Sequence, residues 1–350
     1  MGELADHLAR ISRAQVALEA VLALQDRHLI DALVPAGVVR RRMRARHRAY
    51  DTEDLFHAAA AAGLSAICRH DAAYPPALND LQAAPAVLFT SDAGRLGRML
   101  GEPAVAVVGA RRASTYGLET ARALGRGLSA AGVTVVSGMA LGVDSAAQAG
   151  ALEAGGHTLA VLGGGADVPY PATKRRLHRA LWESAVVVSE MPPGLQARKW
   201  CFPARNRIIA ALARLTVVVE AAQHSGALIT AQVARELGRE VAAVPGPVTS
   251  RLAAGANALI RDGAHLICGP QDALDLACGV GMRSVPAPGD AGELGARAQM
   301  TLAAIREGQR HPAARASSPA EARAVLAALA ELELRGYVRR TPGGGYEACA

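Results

Sequence analysis

The sequence predicts a doubly wound α/β domain with a mostly parallel sheet, preceded by a small helical domain and followed by a winged-helix module. Three observations predict it. Between about Pro103 and Gly269, short β-branched runs alternate with Ala-rich stretches of helical character. Those runs are apolar almost throughout, as strands covered on both faces must be. Near the C-terminus, one helical stretch leads into a Pro/Gly turn flanked by short extended segments, the outline of a helix with a two-stranded wing.

Taken in order, residues 1–73 form the helical domain: Leu4, Leu8 and Ile11, then Val16, Leu18, Val21 and Leu22, recur at helical spacing. Within it, RRRMRARHR (Arg40 to Arg48) places Arg40, Arg44 and Arg48 on one face, where like charges repel. A solvated basic face is expected there, with a second nucleic-acid contact as the alternative. Residues 74–280 form the α/β domain, with strands expected at Ala104–Gly109, Val133–Gly138, His157–Gly165, Ala185–Glu190, Leu215–Glu220, Glu240–Gly246 and Ala264–Ile267. Residues 281–296, including RSVPAPGDAGELG, read as a linker. Residues 297–350 form the last module, with a helix from Ser318–Pro319 to Leu334 and a hairpin turning at Pro342 to Gly345.

Bulk properties bound the function. The 350 residues are 51% hydrophobic, without an uninterrupted apolar run of about 18 residues, and the start lacks a signal-peptide pattern. A soluble cytoplasmic protein with no membrane segment is expected. Five widely spaced cysteines without a CxxC pair indicate neither a disulfide framework nor a zinc site. The net charge of +7 favours a polyanionic partner. Lys174 and Lys199 are the two lysines, against 36 arginines.

The segment KWCFPARNRIIA (Lys199 to Ala210) gathers Lys199, Arg205 and Arg207 ahead of an apolar run. The expectation is an Arg-Asn-Arg triplet on the first turn of a buried helix, where cations oppose the dipole unless an anion joins them; a solvated arginine pair is the alternative. Ligands of open α/β sheets bind beyond the carboxyl ends of the strands. Those ends carry Gly109-Ala110-Arg111-Arg112, Ser137-Gly138, Gly163-Gly164-Gly165, Ser189-Glu190, Glu220 and Pro245-Gly246, a polar, Gly-rich rim that a ligand backbone can approach. Neither a G-x-G-x-x-G fingerprint nor a G-x-x-x-x-G-K-[ST] loop is present, and no cofactor or metal is expected. Asp144 and Ser145 read as helix caps. Glu190 and Glu220 are placed to meet a sugar or base, or to pair with Arg207 or Lys199. His157, His178, His224 and His265 share no spacing, and no nucleophile, base and orienter can be assembled.

The motifs YPPALNDLQAAPAVLF, VAVVGARRASTYG, VVSGMALGVDSAAQAGAL, AVLGGGADVPYP, SEMPPG, KWCFPARNRIIAAL, VVEAAQHSGALITAQVARELGREVAAVPGPV and GANALIRDGA, in that order over residues 74–275, resemble those of the bacterial DNA-processing protein A family, also called Smf. The resemblance implies a Rossmann-like domain that binds single-stranded DNA without catalysis. It further implies a homodimer that loads the recombinase RecA during natural transformation. Arg111 corresponds to the arginine of the family's first glycine turn, and Lys199, Arg205, Asn206 and Arg207 to its cationic segment. With Arg112, Gly138, Lys174, Ser225 and Gly226 they are the expected DNA-binding residues.

Two departures stand out. Ala172 occupies the family's usual lysine position, leaving Lys174 as an imperfect substitute, and Ala147-Gln148 stands where Ala-His is common. Tyr116, Tyr170, Trp200 and Phe202 are the candidate base platforms, with a core role open for Trp200 and Phe202. Two other readings remain. One is a phosphoribohydrolase-like nucleotide enzyme, whose Gly-rich loop and catalytic glutamate are missing around HSGALITA. The other is a duplex binder using the helix Pro319–Leu334, which offers Arg323 and Arg335 among Glu321, Glu331 and Glu333.

Overall fold

Apolar runs that can bury both faces need helices on either side, and the chain supplies them in alternation. The computed structural model describes residues 26–48, 52–285, 295–316, 318–334, 337–341 and 344–348. Outside these lie the helical pattern of residues 1–25, most of the linker, Arg335 and the Pro342–Gly343 turn. The chain divides into two units, residues 1–285 and 286–350.

The first unit holds β1 (Ser65–Cys68), β2 (Val87–Thr90), β3 (Ala104–Val108), β4 (Thr134–Ser137), β5 (Thr158–Leu162), β6 (Val186–Ser189), β7 (Leu215–Val218), β8 (Glu240–Ala243) and β9 (His265–Leu266). They form one sheet in the order β1-β2-β6-β5-β4-β3-β7-β8-β9. The seven strands expected from sequence, β3 to β9, are all present and mutually parallel. The sequence reading has no strand before Ala104, whereas β2 pairs antiparallel with β6 and β1 antiparallel with β2. The sheet thus begins inside the segment read as helical. At four residues each, β1 and β2 are too short to show a period.

Helices α1 (Asp26–Leu33), α2 (Val38–Arg48) and α3 (Thr52–Ala61) precede the sheet. The others are α4 (Ala93–Leu100), α5 (Thr115–Ala130), α6 (Val143–Glu153), α7 (Arg175–Ser184), α8 (Cys201–Leu212), α9 (Gly226–Glu236), α10 (Ala254–Arg261) and α11 (Pro270–Cys278). Alternate residues of a strand face opposite sides. Ala106, Val108, Val136, Leu159 and Val161 pack under α8, α9 and α4. Their neighbours Val105, Val107, Val135, Leu215 and Val217 pack under α5, α6 and α11. Gly125 of α5 lets α6 approach so closely that a Cβ there would lie 1.9 Å from Ala147 O.

In the second unit, α12 (Ala296–Arg306), α13 (Pro319–Leu334) and the antiparallel pair β10 (Val338–Arg340) and β11 (Tyr346–Ala348) enclose Leu302, Ile305, Leu329, Leu332 and Tyr346. Ser318 Oγ accepts from the Glu321 amide, fixing the start of α13 where the sequence places it. Helix α12 is an element the sequence reading did not assign.

Candidate nucleic-acid interface

From β3 the strand order runs outward through β4, β5 and β6 on one side and through β7, β8 and β9 on the other. The switch point therefore lies between β3 and β7. There the two following loops diverge and leave a crevice at the carboxyl ends of the strands. A groove of about 970 Å³ occupies this position, lined among others by Arg111, Arg112, Lys199, Phe202, Asn206, Ser225, Gly226 and Arg251.

Local chemistry shapes each wall. After β3 the chain turns at Gly109, where a Cβ would meet Val143 Cγ2 at 2.7 Å and Glu220 O at 2.9 Å. The next residues, Arg111 and Arg112, are exposed. Ser114 then caps α5, its Oγ accepting from the Gly117 amide at 3.1 Å. The same serine donates its amide at 2.9 Å and its hydroxyl at 2.6 Å to the Glu220 carboxylate, which ties the β3 and β7 loops together. Glu220 is thereby buried and occupied, and pairs with neither Arg207 nor Lys199. On the far wall Ser225 caps α9, whose first amides face the groove with the positive end of the helix dipole. Asn206 joins the walls from below, donating Nδ2 to Gly226 O at 3.2 Å.

Helix α8 begins at Cys201, with Pro203 in its first turn, a position where proline is tolerated. The Arg-Asn-Arg triplet consequently sits one turn further in than the sequence suggests, and its members part company. Phe202, Arg205, Asn206 and Ile209, at helical spacing, face the groove, whereas Arg207 points into the core. Arg207 is 1% exposed, and its Nη2 donates to both Glu190 carboxylate oxygens at 2.7 Å. Arg205 is 6% exposed. Its guanidinium donates to Gly138 O and Val161 O, joining the ends of β4 and β5, and lies 3.9 Å from Asp144. Burial pushes the Arg205 guanidinium down to about 10, against the attraction of Asp144. Burial likewise pushes the Asp144 carboxyl up, opposed by Arg205.

The remaining expected residues divide in the same way. Lys199 is exposed on the groove wall. Gly138 lies beneath Arg205, where a Cβ would come within 2.2 Å of the guanidinium; its amide donates to Asp144 Oδ2 at 3.1 Å. Lys174 sits on a short 3-10 turn, Ala172–Lys174, and does not line the groove. Asp144 lies inside α6 and makes no cap bond, the cap position being Gly142. Ser145 donates to Ala140 O. Gln148 is fully buried and reaches Leu159 O, so the departure from Ala-His concerns the core.

Of the aromatics, Trp200 is fully buried beneath α1 with Leu29, Ile30 and Val34. Phe202 is partly exposed, with the Arg111 guanidinium 4.9 Å above its ring centroid and Tyr170 at 5.2 Å on another side. A planar cation on an aromatic face leaves a flat, amphipathic surface open to the groove. Arg251, in the loop after β8, is a groove cation that sequence reasoning missed. It stands alone in PGPVTSRLAAG, with no charged neighbour to signal it. Lining the groove are five cations, Arg111, Arg112, Lys199, Arg205 and Arg251, and one carboxylate, the buried Asp144.

Residues 65–277 match the family described as DNA recombination-mediator protein A, and residues 316–344 match the DprA winged helix domain. The chain is similar to the DNA processing protein DprA of Streptococcus pneumoniae, with 44% identity over 204 residues, covering 58% of this chain and 71% of the relative. It is also similar to the protein Smf of Escherichia coli, with 40% identity over 203 residues, covering 58% of this chain and 54% of the relative. The chain spans about half the length of the Mycobacterium tuberculosis relatives that it matches at 46% identity. Among solved structures, DNA processing protein A of S. pneumoniae superposes with a TM-score of 0.62 at 36% identity, covering 72% of this chain and 86% of the other. The DNA processing protein A of Helicobacter pylori, reported for its single-stranded DNA binding mode, gives a TM-score of 0.53 at 28% identity, covering 61% and 94%. The family match runs through every strand of the sheet and the groove in which the strands end, and a second match covers residues 316–344 of the winged module: the chain belongs to the DNA recombination-mediator protein A family.

Proposed function

We propose that this protein binds single-stranded DNA in the groove between β3 and β7 and, without catalysing a reaction, presents the strand to RecA. The carrying observation is the groove's charge: four exposed or rim cations, Arg111, Arg112, Lys199 and Arg251, converge with the α9 N-terminus around the platform of Phe202 and Tyr170. Cations with helix amides suit phosphates, and the partly exposed rings of Phe202 and Tyr170 suit an unstacked base. The single-stranded DNA binding reported for the H. pylori relative supports the same assignment. Arg205, Arg207 and Gly138 serve beneath the surface: Arg205 braces two strand ends and Arg207 neutralises Glu190. Base-excising chemistry would need an accessible carboxylate, and Asp144, the carboxylate lining the groove, is held by Gly138 and Arg205. Delivery to RecA during transformation, a homodimeric state and a cytoplasmic location belong to the same proposal, on family kinship; among the described residues no helix is long and apolar enough to cross a membrane.

Fluorescence anisotropy of labelled oligo-dT over a salt series, with duplex competitor, tests the reading. Wild type should prefer the single strand, and an Arg111→Ala, Lys199→Ala variant should bind more weakly with a salt slope lower by about 0.7 per lost phosphate contact. Equal binding by both proteins, or a preference for duplex, would move the function to a smaller ligand or to the winged module.

A further inference from the structure

We infer that α2 forms a second contact for single-stranded DNA, holding the strand where it leaves the groove; the inference rests on the groove reading above. Helix α2 reads VVRRRMRARHR, and none of its residues is buried. Arg40, Met43 and Arg44 tie it to the α1 segment. Arg40 donates to Val34 O and Asp31 O, Arg44 pairs with the Asp31 carboxylate, and Met43 packs beside Leu29 and Ile30.

Arg41, Arg42 and Arg48 are exposed and make no ion pair with any described residue; Arg48 continues the Arg40–Arg44 face with Arg41 beside it, and Arg42 lies further round the helix. No acidic residue lies on the helix. Like charges so arranged destabilise a helix that gains little from packing, and a polyanion relieves that repulsion. The position selects which polyanion. Leu29 and Ile30 of α1, with Val34 just after it, pack with Trp200, Cys201 and Ala204 at the start of α8, immediately after the groove residue Lys199. Helices pack at about 8–10 Å, so α2, whose Met43 packs against the same cluster, stands no more than roughly 20 Å from the α8 axis, a span that a few nucleotides cross. A strand held at Lys199 that runs on over α1 meets α2 within that span.

The test compares oligo-dT of about 6 and about 25 nucleotides, chosen around the ~4–16-nucleotide sites of single-strand binders. Anisotropy over a salt series is read for the full chain, for an Arg41→Gln, Arg42→Gln, Arg48→Gln variant and for the Arg111→Ala, Lys199→Ala variant. Glutamine keeps helix propensity, and circular dichroism checks the fold. On the long strand the α2 variant should lose about 2 from the salt slope, at about 0.7 per contact, and bind about tenfold more weakly at low salt. On the short strand it should match wild type. If it matches wild type on both lengths while the groove variant weakens both, α2 is a solvated face and the groove reading stands. An equal loss on both lengths also overturns the inference, because α2 would then act as a general field. If wild type binds neither length, the groove reading falls and this inference with it.

Discussion

Arg207 tests the division of the α8 cations most sharply, because the resemblance places it on phosphate and the structure places it in the core. Its guanidinium is 1% exposed and holds both oxygens of Glu190, whose side chain is 19% exposed. Replacing Arg207 by alanine strands a mostly buried carboxylate and empties the space the side chain filled. Breaking a buried pair costs about 3–5 kcal/mol, and the partial exposure of Glu190 sets the expected loss at the lower end, about 3 kcal/mol. At about 2–4 °C per kcal/mol for a domain of this size, the melting temperature should fall by about 6–12 °C. Differential scanning calorimetry measures that fall. Anisotropy well below the transition should give a Kd within about twofold of wild type and an unchanged salt slope. A second variant, Arg207→Met with Glu190→Gln, should recover most of the lost stability, since an apolar-neutral pair avoids the stranded charge. If Arg207→Ala instead kept its melting temperature and lost about 0.7 from the salt slope, the residue would be a phosphate contact and the burial argument would be wrong.

Phe202→Ala should weaken single-strand binding by about 1–3 kcal/mol, the worth of one stacked base, with the salt slope unchanged; competition anisotropy separates the two quantities. Lys174→Ala should leave Kd within about twofold, because the residue lies outside the groove lining; a loss of about 0.7 in salt slope would place it on the strand. Gly125→Ala, whose Cβ would approach Ala147 O to 1.9 Å, should push α5 from α6 and destabilise the fold by about 1–3 kcal/mol or more in urea titration. A neutral outcome would show that the two helices can separate without loss.

Periodicity in the sequence revealed the strands that lie between two layers. AVAVV is apolar at every position and TLAVL at every position after Thr158, because both faces are covered, and each became a fully buried strand. Strands β1 and β2 escaped because they extend the sheet by short antiparallel pairing, which leaves no long apolar run: SAIC has a single buried residue. The rim was legible as a place, since the switch point follows from strand order and the glycines mark the turns. Which cation does what was not. Arg205 and Arg207 are two residues apart, about 200° around a helix, so one faces the groove and the other the core, and composition cannot say which. The misplaced start of α8 has a related cause, because Pro203 reads as a breaker unless it is seen in the first turn. Arg251 was invisible because its fellow groove cations, Lys199, Arg112 and Arg111, come from loops 52 to 140 residues away in sequence.

The central claim, that a single strand lies across the β3–β7 groove on the Phe202 platform, is tested most directly by photocrosslinking. Oligo-dT carrying 5-iododeoxyuridine would be irradiated in complex with the full chain, and the crosslinked residue located by mass spectrometry. The groove account predicts adducts on Phe202 or Tyr170, whose rings line the groove. Adducts confined to the second unit, residues 286–350, would contradict it and assign DNA binding to the winged module.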